Sequence, residues 1–375
     1  MLSCLMWLLA ALPLHLWASV DPEMAVLETE QRDGYSCQLI EYQAVGPERV
    51  QAYLLVPEGA SADKPCPGLV LLHDHGARFD IGKEKLVRPL ASAPSHIQAS
   101  ARQWVTDGFD GVFLADRMAA EGYVVIVPDV LYWGSRSTDL CQQWSRMQFG
   151  DAPSQRTSRE IRSVKQAVYE GQRAVYDSLA RRGVVWAEQT LNEDAAAARL
   201  LAALPYVDAD RVGCFGWSMG AHRAWLLAAF CEAVKTGVAL CWMTLKATQA
   251  DPPSASDYSM MIPALRERYD FPDIACWLCP KPFFFLNGRN DRLFPADASQ
   301  NAFDRMQAIY VKAGAQGRLR TEFFDGGHHC GLREQALILD YFRQQFRLSA
   351  TLTERMTRQR RYSCRYFSEA SFPAQ

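Results

Sequence analysis

Apolar positions along this chain fall into two alternating rhythms. Residues 68–72, in the stretch "GLVLLHDHG", form a continuous apolar run that ends in polar residues and a glycine. "YVVIVPDV" (123–130), "RVGCFGW" (211–217), "GVALCWMT" (237–244), "PFFFLNG" (282–288) and "LRTEFFDGG" (319–327) repeat that form. Short runs apolar on every position are what strands buried on both faces look like. Between them lie stretches with helical spacing. These are 113–122, closed by Gly122, the alanine-rich 190–205 with Thr190 or Asn192 as N-cap, 219–230, 298–314 and 333–346. "YSCQLIEYQA" (35–44) and "RVQAYLLVP" (49–57) are joined across Gly46-Pro47 and read as an antiparallel hairpin. Strands alternating with helices predict an α/β fold, a mainly parallel sheet with helices on both faces and an antiparallel N-terminal edge.

From about 131 to 190 the rhythm breaks. Tyr132, Trp133, Trp144 and Phe149 precede one long helical stretch, and the segment reads as an insertion in a domain spanning 35–350. Its aromatic residues suit either a roof over a pocket or a satellite core. Residues 1–34 are expected to be an N-terminal segment, either a packed helix or a signal-like sequence. The apolar run at its start is too short and too interrupted for a membrane span. It also lacks a basic residue ahead of the run. Residues 351–375 form a basic tail with Arg355, Arg358, Arg360, Arg361 and Arg365 close by.

Composition changes this picture little. Hydrophobic residues make up 49% and charged residues 22%, with a net charge of −2, so no nucleic-acid partner is indicated. Eleven cysteines are scattered, several within apolar patterns, and read as small buried hydrophobes. That usage favours a cytoplasmic protein, with export through an atypical signal as the alternative. The lone C-x-x-C at Cys276 and Cys279 lacks the further ligands that zinc requires. No metal or other cofactor is expected.

The chemistry sits where an open α/β sheet puts it, at the carboxyl ends of strands. Ser218 lies between Gly216 and Gly220 where a strand becomes a helix. A serine there needs small neighbours for the tight turn and a base to take its proton. His328 follows the last strand and Asp291 follows the one before it. Imidazole suits the base, and a carboxylate fixes its tautomer. His329 is the alternative base, and Asp297 reads as a helix cap. The Met219 N–H, at the helix start, is one oxyanion donor. The loop after residue 72, at Ala77 or Gly76, is expected to supply the other. His73 and His75 read as scaffolding for that loop, His222 as a helix histidine and Asp129 as a loop-holding carboxylate. The "GKEK" of 82–85 reads as a solvated loop, with Lys83 or Lys85 reaching an anionic substrate as the alternative.

The stretches "LVLLHDHGARFDIGKEKLVRPL", "GWSMGAHRA", "RYDFPDIACWLCPKPFFFLNGRNDRLFP" and "DGGHHC" resemble the α/β-hydrolase superfamily, in its dienelactone-hydrolase and acetyl-xylan-esterase-like branch. The resemblance implies a serine hydrolase acting on a small-molecule carboxylic ester of short acyl chain, with Ser218, His328 and Asp291 as the triad. Dienelactone hydrolases use cysteine where this chain has Ser218, which argues for an esterase over dienelactone chemistry. Two other readings stand beside it: a peptidase of the prolyl-oligopeptidase type, and a non-catalytic binding module on the same fold.

Overall fold

The computed structural model describes residues 23–44, 49–150, 156–249 and 253–346. Within them one sheet of nine strands runs through the molecule in the order β1-β2-β3-β5-β4-β6-β7-β8-β9. The strands are β1 Met24–Arg32, β2 Tyr35–Gln43, β3 Arg49–Pro57, β4 Cys66–Leu72, β5 Val124–Pro128, β6 Val207–Trp217, β7 Thr236–Leu240, β8 Phe283–Gly288 and β9 Leu319–Phe324. β1, β2 and β3 pair antiparallel, and β3 pairs antiparallel with β5. From β5 to β9 every pairing is parallel. The apolar runs are the reason: β4 after its first residue, and β5, β7 and β8 throughout, are buried, as a sheet covered on both faces demands.

The α-helices are α1 Ser95–Phe109, α2 Leu114–Ala120, α3 Asp139–Phe149, α4 Ser158–Glu170, α5 Gln172–Arg181, α6 Trp186–Ala203, α7 Met219–Phe230, α8 Pro263–Arg268, α9 Ala275–Leu278, α10 Ala296–Lys312 and α11 Leu332–Phe346. One core packs α6, α7 and α10 on the first face of the sheet, and a second packs α1, α2 and α11 on the other. None of the helices in the described residues is long and apolar enough to cross a membrane.

Several boundaries differ from the sequence expectation. Residues 24–32, assigned to a helical or signal-like segment, form the edge strand β1. It pairs along its length with β2, from Met24↔Tyr42 to Arg32↔Tyr35. Residues 1–22 and the basic tail 351–375 lie outside the described residues. Helix α6 starts at Trp186, so Thr190 and Asn192 sit inside it and are buried, and neither caps it. Asp297 lies in the first turn of α10, whose N-cap is Pro295. The long helix of the insertion divides at Gly171. A β-carbon there would run into the Tyr132 hydroxyl, so glycine is the residue that fits at the junction. α1 had no counterpart in the reading, although Ile97, Ala101, Val105 and Phe109 recur every four residues and are all buried.

The aromatic residues of the insertion form a third, smaller core. Tyr132, Trp133 and Trp186 surround Phe79, and the cluster reaches Met219 beside the strand-to-helix turn. The satellite-core reading therefore describes Tyr132 and Trp133, while Trp144 is buried outside that cluster. Phe149 is half-buried, edge-on to Trp144 with Arg78 over its face.

Candidate active site

Ser218 stands at the end of β6 with φ 57° and ψ −125°, a conformation that costs a non-glycine residue on the order of 1–3 kcal/mol. The surroundings hold it there. Its N–H donates to the Leu240 carbonyl at 2.9 Å, and its own carbonyl accepts from Ala221 at 2.8 Å and His222 at 3.2 Å. The two flanking glycines are required by space. A β-carbon on Gly216 would run into the Gly220 carbonyl, and one on Gly220 into the Leu72 carbonyl. Helix α7 thus begins against the end of β4 with the Met219 N–H in its first turn, where a backbone donor has no intrahelical partner. A buried ion pair ties the two segments together. Arg223 donates to Asp194 through Nη2 at 2.7 Å and Nε at 2.9 Å, and its Nη1 donates to the His73 carbonyl at 3.2 Å.

Two strands along the sheet, the loops after β8 and β9 lock together. Asn290 N–H donates to the Gly326 carbonyl at 2.9 Å and Arg289 N–H to the Phe324 carbonyl at 3.0 Å. A β-carbon on Gly288 would collide with Gly326 and Gly327. This brings Asp291 to His328, with Nδ1 and Oδ2 2.8 Å apart. A carboxylate only accepts, so Nδ1 carries the proton and Nε2 keeps its lone pair. The other Asp291 oxygen accepts from the Leu293 N–H at 2.9 Å and the Phe294 N–H at 3.4 Å. The His328 ring stacks on Phe294 and lies 5.3 Å from the Trp217 ring, next to Ser218. His329 turns the other way, to Asp110 at 3.3 Å. The Ser218 hydroxyl forms no hydrogen bond among the described residues. Such contacts often close only when substrate is bound.

Cys241 packs beneath the pair, with its sulfur and the His328 and Asp291 donor atoms within 4.8 Å of one another. Burial, with the Asp291 charge nearby, pushes its thiol well above the ordinary value. A metal would need the thiolate, so this set fits a metal poorly.

The loop after β4 is held by a chain of assigned protons. Gln172 Nε2 donates to the Tyr169 carbonyl at 2.9 Å, which turns Gln172 Oε1 toward His75 Nε2, also at 2.9 Å. His75 therefore carries its proton on Nε2, and Nδ1 accepts from the Ala77 N–H at 3.0 Å. Burial lowers the His75 pKa to about 4, so the ring is neutral. In this arrangement the Ala77 N–H is engaged by His75. Gly76 and Ala77 both have positive φ, 54° and 47°.

The "GKEK" stretch is not a solvated loop. Lys85 is fully buried and donates to the carbonyls of Asp74 at 2.7 Å and His75 at 2.8 Å. Its pKa falls to about 8 through burial, opposed by Asp74. Lys83 donates to Asp129 at 2.7 Å and pairs with Glu84 at 2.8 Å. Burial disfavours the Lys83 charge, but the two carboxylates outweigh it and raise its pKa. Both ammonium groups are spent on scaffold contacts and neither is offered to an anionic substrate. Asp129 holds its loop, accepting also from Ser135. His73 does likewise, its Nδ1 against the Asp74 carbonyl at 3.0 Å and Nε2 accepting from Val130 at 3.3 Å. Asp194, Gln172 and Phe79 are the site-supporting residues that sequence reasoning missed. Only Asp194 carried a signal, as a charged residue within an alanine-rich apolar helix.

Residues 107–264 match the model of the dienelactone hydrolase family. A Bacillus subtilis protein named "Putative hydrolase YtaP" is 25% identical over 311 residues, covering 80% of this chain and 85% of its own. Among solved structures, a "putative acetyl xylan esterase" from Bacteroides fragilis superposes with a TM-score of 0.60 at 16% identity, over 81% of this chain and 70% of that one. The glucuronoyl esterase from Solibacter usitatus gives 0.58 at 12% identity, over 88% of this chain and 90% of that one. With a strand-to-helix serine turn at β6 and a sheet of this order, the chain has the α/β-hydrolase fold, and its residues 107–264 are similar to the dienelactone hydrolase family.

Proposed function

We propose that the protein is a serine esterase that cleaves a small carboxylic ester of short acyl chain. The observation that carries this reading is the His328–Asp291 pair. It leaves an imidazole lone pair on a ring 5.3 Å from the ring of Trp217, the residue before the strained Ser218 turn. His328 Nε2 takes the Ser218 proton as Oγ bonds to the ester carbonyl carbon. The carbonyl oxygen becomes an oxyanion facing the Met219 N–H. Removing one such donor costs about 2.7–4 kcal/mol of barrier in comparable sites. The second donor comes from the 76–77 loop, through the Gly76 N–H or through Ala77 once His75 releases it. Collapse of the intermediate expels the alcohol, which receives the proton from His328. Water, deprotonated by the same nitrogen, then attacks the acyl-enzyme and frees the acid and Ser218.

The hydrolase relative supports hydrolysis, and the esterase names of the structural neighbours favour ester chemistry over amide chemistry. The test is a panel of p-nitrophenyl and sugar esters graded from acetyl to octanoyl, with an aminoacyl p-nitroanilide as comparison. Turnover of the short esters, lost in Ser218→Ala and absent with the anilide, is the expected result. Equal or preferred turnover of the anilide would support the peptidase reading. No turnover of any ester by folded protein would support the binding module.

A further inference from the structure

One turn beyond the nucleophile, helix α7 opens onto a cavity that the triad does not use. His222, Trp225, Met260, Ile262, Arg266 and Phe271 are among the residues that line it, and its volume is about 30 Å³. At roughly 10–15 Å³ for each water-sized position, it takes two or three such positions. Its position ties it to the reaction. His222 follows Ser218 by four residues on the same helix, about 6 Å along the axis. Met260 packs against the cluster that holds Met219, and the neighbouring Ser259 hydroxyl donates to the Met219 sulfur at 3.5 Å. Phe271 touches Trp242, which touches Phe294, the ring stacked on His328.

Beside Asp270, whose carboxylate is taken up by Arg305 and by the Lys246 and Phe271 N–H groups, three polar groups line this pocket, and the Trp225 and His222 rings lack hydrogen-bond partners. The Trp225 indole N–H is buried and has no acceptor. His222 is 3% exposed, and its ring has no hydrogen bond among the described residues, only ring contacts with Trp225 and Trp242. The Arg266 guanidinium is half-buried, and its partner is the Gln249 amide oxygen. No carboxylate lies within ion-pair distance of it among the described residues. Buried polar groups in native proteins are usually satisfied, and an unsatisfied cluster in a cavity next to a reactive serine points to a ligand. Its polarity follows from the donors. Trp225 only donates, Arg266 only donates and is cationic, and His222 is kept neutral by burial.

We infer that this cavity is a subsite for a short chain ending in a carboxylate, received as the acyl part of a hemiester or as a free dicarboxylic acid. The chain lies against Met260, Ile262 and Phe271, and the carboxylate meets Arg266 with Trp225 Nε1–H as a second donor. The inference deepens the esterase reading and rests on it for the hemiester source only.

The test compares the mono-p-nitrophenyl ester of succinic acid with p-nitrophenyl butyrate, in wild type, Arg266→Gln, Arg266→Lys and Trp225→Phe. Calorimetric titration of free succinate and butyrate into Ser218→Ala, with and without Arg266→Gln, reads the same cavity without turnover. The expected result is a succinyl-to-butyryl ratio of kcat/KM at least tenfold lower in Arg266→Gln, partly rescued in Arg266→Lys and lowered severalfold in Trp225→Phe. If Ser218→Ala binds succinate but succinyl and butyryl esters are turned over alike, the free acid is the ligand. If no ester is cleaved, the esterase reading fails, and succinate binding lost in Arg266→Gln still supports the cavity. Unchanged ratios together with no succinate binding would overturn the inference.

Discussion

At the scale of single residues, the molecule spends buried charge and tautomer control on two imidazoles with opposite duties. Asp291 fixes the Nδ1 proton of His328 and so frees Nε2, while Gln172 fixes the Nε2 proton of His75 and so leaves Nδ1 to the Ala77 N–H. Asp291→Asn keeps the volume but replaces the acceptor with an amide that can turn a donor to the ring. We expect kcat to fall by on the order of 10³–10⁴ with unchanged thermal unfolding. A loss below tenfold would mean that Asp291 does not orient the base. His222 gives a second, thermodynamic expectation. Burial, with the Arg266 and Arg223 charges, lowers its pKa to about 3. The unfolded chain, near the ordinary 6.5, takes up its proton first as pH falls. Stability is therefore complete above about 6.5 and is lost on acidification toward 3, at roughly 1.4 kcal/mol per pH unit. His222→Phe should flatten denaturant-derived stability against pH between 6 and 4.5 by about that slope. An unchanged slope would show that the imidazole is not neutral in the folded state.

Elements explain why these residues meet. β6, β8 and β9 carry Ser218, Asp291 and His328 beyond their carboxyl ends, and the sequence made this placement legible because each residue closely follows an apolar run. Less was legible where partners come from elsewhere in the chain. Ala77 looked like a free donor because nothing local showed that His75 would bend back onto it. The "GKEK" lysines looked solvated because the carbonyls of Asp74 and His75 that bury Lys85 are a tertiary fact. β1 was hidden by the apolar run upstream, and the close approach of Tyr132 to Gly171 is a tertiary contact with no local signal. The insertion acts on the site through helix α5. Gln172→Leu should lower kcat about tenfold and leave KM within about twofold, because it disturbs an oxyanion loop and not a substrate contact. An equal rise in KM would place Gln172 in the binding surface instead. The α6–α7 tie is energetic. Arg223→Met leaves Asp194 buried and unpaired, and the loss by chemical denaturation should be about 3–5 kcal/mol. Adding Asp194→Leu should recover much of it, and no recovery would contradict a simple pair.

At the scale of the whole molecule, the fold sets an open parallel sheet behind a reactive rim, with the aromatic insertion on one side of Met219 and the His222 cavity along the other. In the proposed reaction the two flanks would divide the work: one holds the loop after β4, the other offers a place for the chain beyond the scissile carbonyl. The proposed ester chemistry depends on Ser218 Oγ being the atom that attacks. The direct measurement is labelling with a fluorophosphonate, followed by mass spectrometry of the intact protein and of its peptides. One adduct per chain on Ser218 is expected, absent in Ser218→Ala and slowed at least a hundredfold in His328→Ala. An unlabelled, folded wild type, or an adduct mapped to another residue, would contradict the account.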